Sequence, residues 1–253
     1  MLKFIGTGSA FNTELGNTSA YIKQDQTLFI LDCGETAFTR MKQLNIFEDV
    51  KNVYIAITHM HSDHIGSLGG LIAYLNIFCD IQPTIVITSE DSAEKQEDDL
   101  RNYLTYVGID EEDYDFSYDD MLEDVLPGLK KVLMVEIKHC DNLTSYAIEL
   151  YFDNKTIFYV GDNYDKEYLS LLSKQLKPQD IIYTDVTNKE YKNRVHISLN
   201  ELCEIFPENL RAQVYCMHFS DFSVINEARE KGFKIANRQF SVEELLKQIA
   251  NRK

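Results

Sequence analysis

"THMHSDHIG", residues 58–66, holds three of the six histidines of a 253-residue chain, with an aspartate between the second and the third. His59 and His61 follow the apolar run "VYIAIT", so they stand where a strand ends and a loop begins. Strand alternation points residues spaced by one to the same side. Asp63 and His64 come two and three residues later, after a turn, and face a second position beside the first. Imidazole nitrogen and carboxylate oxygen together suit zinc or another divalent first-row ion, at bond lengths of ~2.0–2.2 Å. A lone histidine is usually structural, but four ligand-type residues within six positions read as ligands for two adjacent metals. Such a pair, about 3.5–4 Å apart, lowers the pKa of a shared water toward ~7 and suits phosphodiester hydrolysis.

Outward from this motif, apolar and β-branched runs alternate with helical patterns. "LKFIG", "SAYIKQ", "TLFILD", "VYIAIT", "TIVITS", "KVLMVEIK", "SYAIELYF", "TIFYVG", "DIIYTDV" and "QVYCMHF" read as ten strands. The polar turn within "YFDNKTIFYVG" predicts a hairpin. Helical periodicity covers residues 36–45, 64–78, 92–107, 165–176, 198–206, 223–231 and 241–251. "SYDDMLEDVLPG" opens with Ser117 and has Asp120 three residues on, which predicts a helix start closed by Pro127. The architecture implied is α/β, with helices outside stacked sheets.

Length and 44% hydrophobic content fit one domain over residues 1–253. No stretch approaches the ~20 apolar residues of a membrane span, and "MLKFIGTGSA" lacks the pattern of a signal peptide, so a soluble cytoplasmic protein is expected. Cys33, Cys79, Cys140, Cys203 and Cys216 are odd in number and scattered, which predicts reduced thiols. The net charge of −16 is concentrated: residues 90–124 hold fifteen Asp or Glu against two Lys or Arg, a net of −13. The segment around 90–126 reads as an acidic helical insert, a solvated face in the first instance and a lid or dimer edge in the second. Such a surface repels a long polyanion unless it faces away from the site. "GTGSA" follows a strand without the lysine of a P-loop, and reads as a tight turn near the metals. "DCGE", residues 32–35, reads as a strand end beneath them, with Asp32 bonding backbone rather than metal.

These residues carry a resemblance. "THMHSDHIGSL" is similar to the signature of the metallo-β-lactamase fold, a four-layer αββα sandwich, and "FIGTGSA", "NTSAYI" and "LFILDCGETAF" resemble its tRNase Z-like branch. The resemblance supplies further ligands at strand ends: His139 after "KVLMVEIK", Asp162 in "FYVGDN" and His218 after "QVYCM". It implies that His59, His61 and His139 hold one metal and Asp63, His64 and His218 the other, with Asp162 bridging. Two divalent ions per chain follow, zinc above all and manganese as the alternative. His196, in "NRVHISLNEL", resembles the histidine that acts as general acid in that branch, and Asp185 lies where the branch places its acidic partner.

Departures from the branch point to the substrate. The tRNA-gripping arm of tRNase Z enzymes lies between the ligand histidine and the bridging aspartate, where only 22 residues separate His139 from Asp162. The family's "GDT" and "HST" stand here as "GDN" and "HIS". An arm-less chain without a basic tract resembles the cyclic-nucleotide phosphodiesterases of the branch, including the phage anti-Pycsar enzymes, rather than an RNA-binding member. The resemblance implies a metal-dependent phosphodiesterase, a homodimer, acting on a small cyclic nucleotide. Aromatic candidates for contact with its base are Phe11, Tyr103, Tyr114 and Phe219. The competing readings are a tRNase Z-like RNA 3′ endonuclease, a hydrolase of thioesters, lactones or β-lactams, and a sensor that kept the fold without catalysis.

Overall fold

The computed structural model describes residues 1–188 and 195–237. The predicted helix at 241–251 lies outside them. Two six-stranded sheets form the centre. The first runs β1 (Lys3–Gly6), β2 (Ser19–Gln24), β3 (Thr27–Leu31), β4 (Asn52–Ala56), β5 (Thr84–Ile87), β6 (Asp115–Tyr118), in chain order. The second is ordered β12 (Lys234–Ile235), β11 (Val214–Met217), β10 (Ile181–Asp185), β9 (Lys155–Tyr159), β8 (Leu143–Phe152), β7 (Leu129–Cys140). In each sheet an antiparallel edge gives way to parallel strands, from β3 to β6 and from β9 to β12.

Period-two alternation divides the apolar side chains between layers. In β3, Phe29 and Leu31 point to the facing sheet, where they join Val132, Met134, Ile148 and Tyr159. Leu28 and Ile30 point outward, onto Met41, Leu71, Leu100 and Leu104. Those last residues belong to α1 (Ala37–Gln43), α3 (Leu68–Tyr74) and α4 (Ala93–Tyr106). The outer face of the second sheet offers Phe158, Ile182 and Cys216 to Leu172, Leu202 and Val224. These lie on α5 (Lys166–Gln175), α6 (Leu199–Ile205) and α7 (Phe222–Glu230). Helix, sheet, sheet and helix make the four layers expected. Replacing one of these fully buried Leu or Ile residues by Ala costs roughly 2–5 kcal/mol.

Two expectations are corrected. The stretch from Ser117 to Pro127 is not a helix: Asp115–Tyr118 is strand β6, in parallel register with β5 (Thr84↔Asp115, Val86↔Ser117). A single 3-10 turn, Asp119–Met121, follows. The reason is Asp119, whose buried carboxylate accepts hydrogen bonds from the backbone N–H groups of Ser89, Asp120 and Met134. An acceptor that joins three segments ends the strand and prevents a capping role for Ser117. The acidic segment therefore supplies a sheet strand as well as helix α4. The predicted helix over 64–78 is also broken, into α2 (Ser62–Ile65), α3 and a π turn (Leu75–Cys79) ended by Asp80 in the left-handed region. Among the described residues no helix is long and apolar enough to cross a membrane.

Candidate metal centre

All six histidines gather where the strands end. His59 follows β4, and His61 is the N-cap of α2, the one-turn helix that carries Asp63 and His64. His139 stands near the end of β7; Asp162 follows β9; Asp185 closes β10; His218 follows β11. His218 holds φ at +58°, a left-handed conformation unfavourable for a residue with a Cβ. The next backbone N–H, that of Phe219, is tied to Thr7 O of β1's loop at 2.9 Å, which closes the two sheets over the site.

Of three side-chain groups that could hold an ion, one of them Asp162, Asp185, His196 and His218, two correspond to the expected ligand sets. In one, His59 Nε2 lies 2.9 Å from His61 Nδ1, and His139 Nε2 lies 3.3 Å from that same atom. In the other, His218 Nε2 is 3.2 Å from both Asp63 Oδ2 and Asp162 Oδ2, and His64 Nε2 is 3.3 Å from Asp162 Oδ1. Asp162 also reaches within 4.0 Å of His139 Nε2, so it stands between the groups.

The far ring nitrogens of His139, His64 and His59 are tethered, which orients each ring. His139 Nδ1 is 2.7 Å from the Val195 carbonyl, which can only accept, so Nδ1 carries the hydrogen and Nε2 presents a lone pair. His64 Nδ1 donates to Asp32 Oδ2 at 2.9 Å. His59 Nδ1 pairs with the Thr58 hydroxyl at 3.1 Å, and that hydroxyl donates to Asp32. Asp32 is wholly buried and also accepts from the Thr58 N–H and the Tyr159 hydroxyl. Its expected backbone bond is there, but its support of His64 was not legible from the sequence. Gly34 allows this closeness: a Cβ there would stand 1.9 Å from Asp63 O.

The charges respond to this packing. Burial, with repulsion from His64, drives His59 well below its ordinary pKa. Burial likewise takes His139 down to about 4. Burial opposes a charge on His64 as well, yet the Asp162 and Asp32 carboxylates hold it protonated well above the usual range. The His64 Nε2 and Asp162 Oδ1 atoms are both buried without a hydrogen bond. The pair can hold either the His64 proton or, in its place, a cation, and the donor set of five imidazoles and two carboxylates fits divalent first-row metals.

The expected acid pair is assembled too. His196 Nδ1 lies 2.7 Å from Asp185 Oδ2 and 3.9 Å from Asp162 Oδ2. Burial works against a charged His196, but the hydrogen bond to Asp185 and the Asp162 charge outweigh it and raise the imidazole to about 9. Burial raises Asp185, to about 6, against the pull of His196. The shared proton therefore resides on His196.

The centre forms the floor of a cleft of about 990 Å³ lined by Phe11, Glu35, His61, His139, His196 and His218, among others. Of the aromatic candidates Phe11 alone lines it, as a residue 95% exposed. Tyr114 and Phe219 are buried, and Tyr103 packs on the first helical core with its hydroxyl on Ile65 O. The acidic residues at 90–124 are not among those lining the cleft. Between His139 and Asp162 the chain makes the β7–β8 turn, the β8–β9 hairpin and nothing longer.

Comparison with known proteins agrees with this geometry. A curated relative, "Anti-Pycsar protein Apyc1" of Paenibacillus harenae, is 29% identical over 226 residues, covering 87% of this chain and 90% of that protein. Among solved structures, the metallo-β-lactamase fold protein YhfI from Bacillus subtilis superposes with a TM-score of 0.71 at 15% identity, covering 94% of this chain and 97% of that one. The short form of human tRNase Z superposes with a TM-score of 0.65 at 15% identity, covering 94% and 97%. These likenesses establish a metallo-β-lactamase fold. The family model described as "Anti-Pycsar protein Apyc1" matches residues 1–241, and the chain belongs to that family.

Proposed function

We propose that this protein is a binuclear-metal phosphodiesterase that hydrolyses 3′,5′-cyclic mononucleotides, cyclic pyrimidine signals among them. The observation that carries the reading is the convergence of six histidines, Asp63 and Asp162 on the floor of an arm-less cleft. His59, His61 and His139 would hold one ion and Asp63, His64 and His218 the other, with Asp162 shared. Zinc is the preferred ion and manganese the alternative. When bound, such a pair supplies a water of lowered pKa and positive charge beside the phosphoryl group.

The chain's own residues do the rest. Thr58, Asp32 and the Val195 carbonyl hold His59, His64 and His139 in orientation. Asp185 holds His196 by Nδ1, which leaves Nε2–H to protonate the ribose oxygen as its bond to phosphorus breaks. The imidazole is left neutral and recovers its proton from solvent. A cleft of about 990 Å³ admits a mononucleotide, and Phe11 at its rim offers a face to the base. Every base has such a face, so this contact discriminates weakly among bases. The resemblance extends to a homodimer, which light scattering would test.

The deciding experiment incubates the metal-loaded protein with cyclic purine and pyrimidine mononucleotides, cyclic dinucleotides and a precursor tRNA. Ring opening of the mononucleotides with the tRNA intact is expected. Intact mononucleotides with a cleaved tRNA would sink the proposal in favour of an RNA 3′ endonuclease.

A further inference from the structure

Asn163, the residue that replaces the family's usual threonine after the bridging aspartate, is fully buried. Its Nδ2 donates to Asp185 Oδ1 at 2.7 Å and to Thr184 Oγ1 at 3.0 Å. Its Oδ1 is buried with no hydrogen-bond partner. The amide has one tolerable orientation, because turning it over would set its carbonyl oxygen against the Asp185 carboxylate. An orphaned buried carbonyl is unfavourable, so stability alone does not account for an amide here. Its two N–H groups account for it. One carboxylate oxygen of Asp185 is held by Asn163 and the other, Oδ2, by His196 Nδ1 at 2.7 Å.

We propose that Asn163 is a positioning residue for proton delivery: it anchors Asp185 by Oδ1 so that Oδ2 fixes His196, with the other imidazole nitrogen turned to the cleft. The inference rests on the reading of His196 as the group that protonates the leaving oxygen. A mere tie between the β9 loop and β10 predicts something different, an equal loss on every substrate.

Leaving-group chemistry separates the two. A ribose alkoxide needs a proton to depart, whereas p-nitrophenolate departs without one. The Asn163→Ala protein should lose roughly 10–100-fold in kcat on a 3′,5′-cyclic mononucleotide. Its KM, metal content and rate on bis(p-nitrophenyl) phosphate should change no more than about twofold. Added to His196→Gln, the same substitution should have almost no further effect, since both act through one group. Should the alanine variant not fold, Asn163→Ser, which keeps one donor, should show the same selective loss to a smaller degree. Equal losses on both substrates, or losses that add to those of His196→Gln, would overturn the proposal. A readout free of any substrate is the proton resonance of His196 Nδ1–H, which should move upfield in the variant. An unmoved resonance also overturns the proposal. If the unaltered protein leaves cyclic mononucleotides intact, the substrate reading fails, and the resonance still decides Asn163.

Discussion

The two candidate ligand groups differ in charge. Around His61 the donors are three imidazoles, with Asp162 Oδ2 4.0 Å from His139 Nε2. Around His64 and His218 stand two carboxylates, Asp63 and Asp162, both nearly buried. Neutral donors leave the charge of a bound cation undiminished, while the carboxylate group offsets it and binds it more firmly. His61 is half-buried and lines the cleft, whereas His64 is sealed beneath it. In the proposed reading the imidazole group is thus the weaker, more accessible site, and the carboxylate group the anchor.

The strongest test removes one ligand from each group. His64→Ala should reduce hydrolysis to background and strip the anchor together with the Asp162 it supports. His61→Ala should abolish hydrolysis too, yet retain about one metal per chain after desalting, as expected if the anchor is intact. Elemental analysis of both variants makes the comparison. Full metal retention in His64→Ala, or complete loss in His61→Ala, would reverse the ranking.

A smaller effect is expected from the residue behind the anchor. Asp32→Asn keeps the shape of the side chain but weakens its hold on His64 Nδ1. Affinity for the anchor ion should fall by roughly 10–100-fold, as for other carboxylates behind ligating histidines. The imidazole group is tethered by Thr58 and by a backbone carbonyl, so its affinity should change far less. Competition with a fluorescent chelator measures both steps; equal weakening would break the comparison.

How far the sequence revealed these groups follows from where the contacts lie. His59, His61, Asp63 and His64 sit within six residues, so local spacing alone exposes them. His139, Asp162 and His218 became readable only beside a resemblance, because a single histidine or aspartate at a strand end has many ordinary uses. Asp32 was placed correctly at a strand end but given only its backbone bond: its contact with His64 spans 32 positions and depends on the close approach that Gly34 permits. Asn163 was visible solely as a departure, since its proposed role lies in two side-chain bonds to the neighbouring strand. The missed strands have physical reasons as well. The β6 strand, "DFSY", has only two aromatic residues and no regular alternation of burial, and is held by parallel pairing to β5. The β12 strand is two residues long and is defined by its register with β11, Tyr215↔Lys234 and Cys216↔Ile235.

The same difference in charge should appear as a difference in protons. In the metal-free protein His59 and His139 are neutral at pH 7: burial lowers both, His139 to about 4. Burial also lowers His61. An ion entering the imidazole group therefore displaces no proton there. His64 is the reverse case, since Asp162 and Asp32 outweigh its burial and keep it protonated well above its ordinary range. An ion entering the anchor must drive that proton out. The sign follows directly. Because the pKa of His64 is raised, the anchor's affinity should fall as pH falls below that raised value, by up to about tenfold per pH unit. The imidazole group should keep its affinity down to the acid region where His139 takes up a proton. Calorimetric titration of His61→Ala, repeated in buffers of different ionisation enthalpy, should count about one proton released per ion bound. At pH about 6, below the ~7 at which the shared water ionises, the unaltered protein should release little more while binding twice the metal. A second proton for the second ion would mean that the imidazole group is charged before it is filled, and the distinction between the two groups would then rest on position rather than on charge.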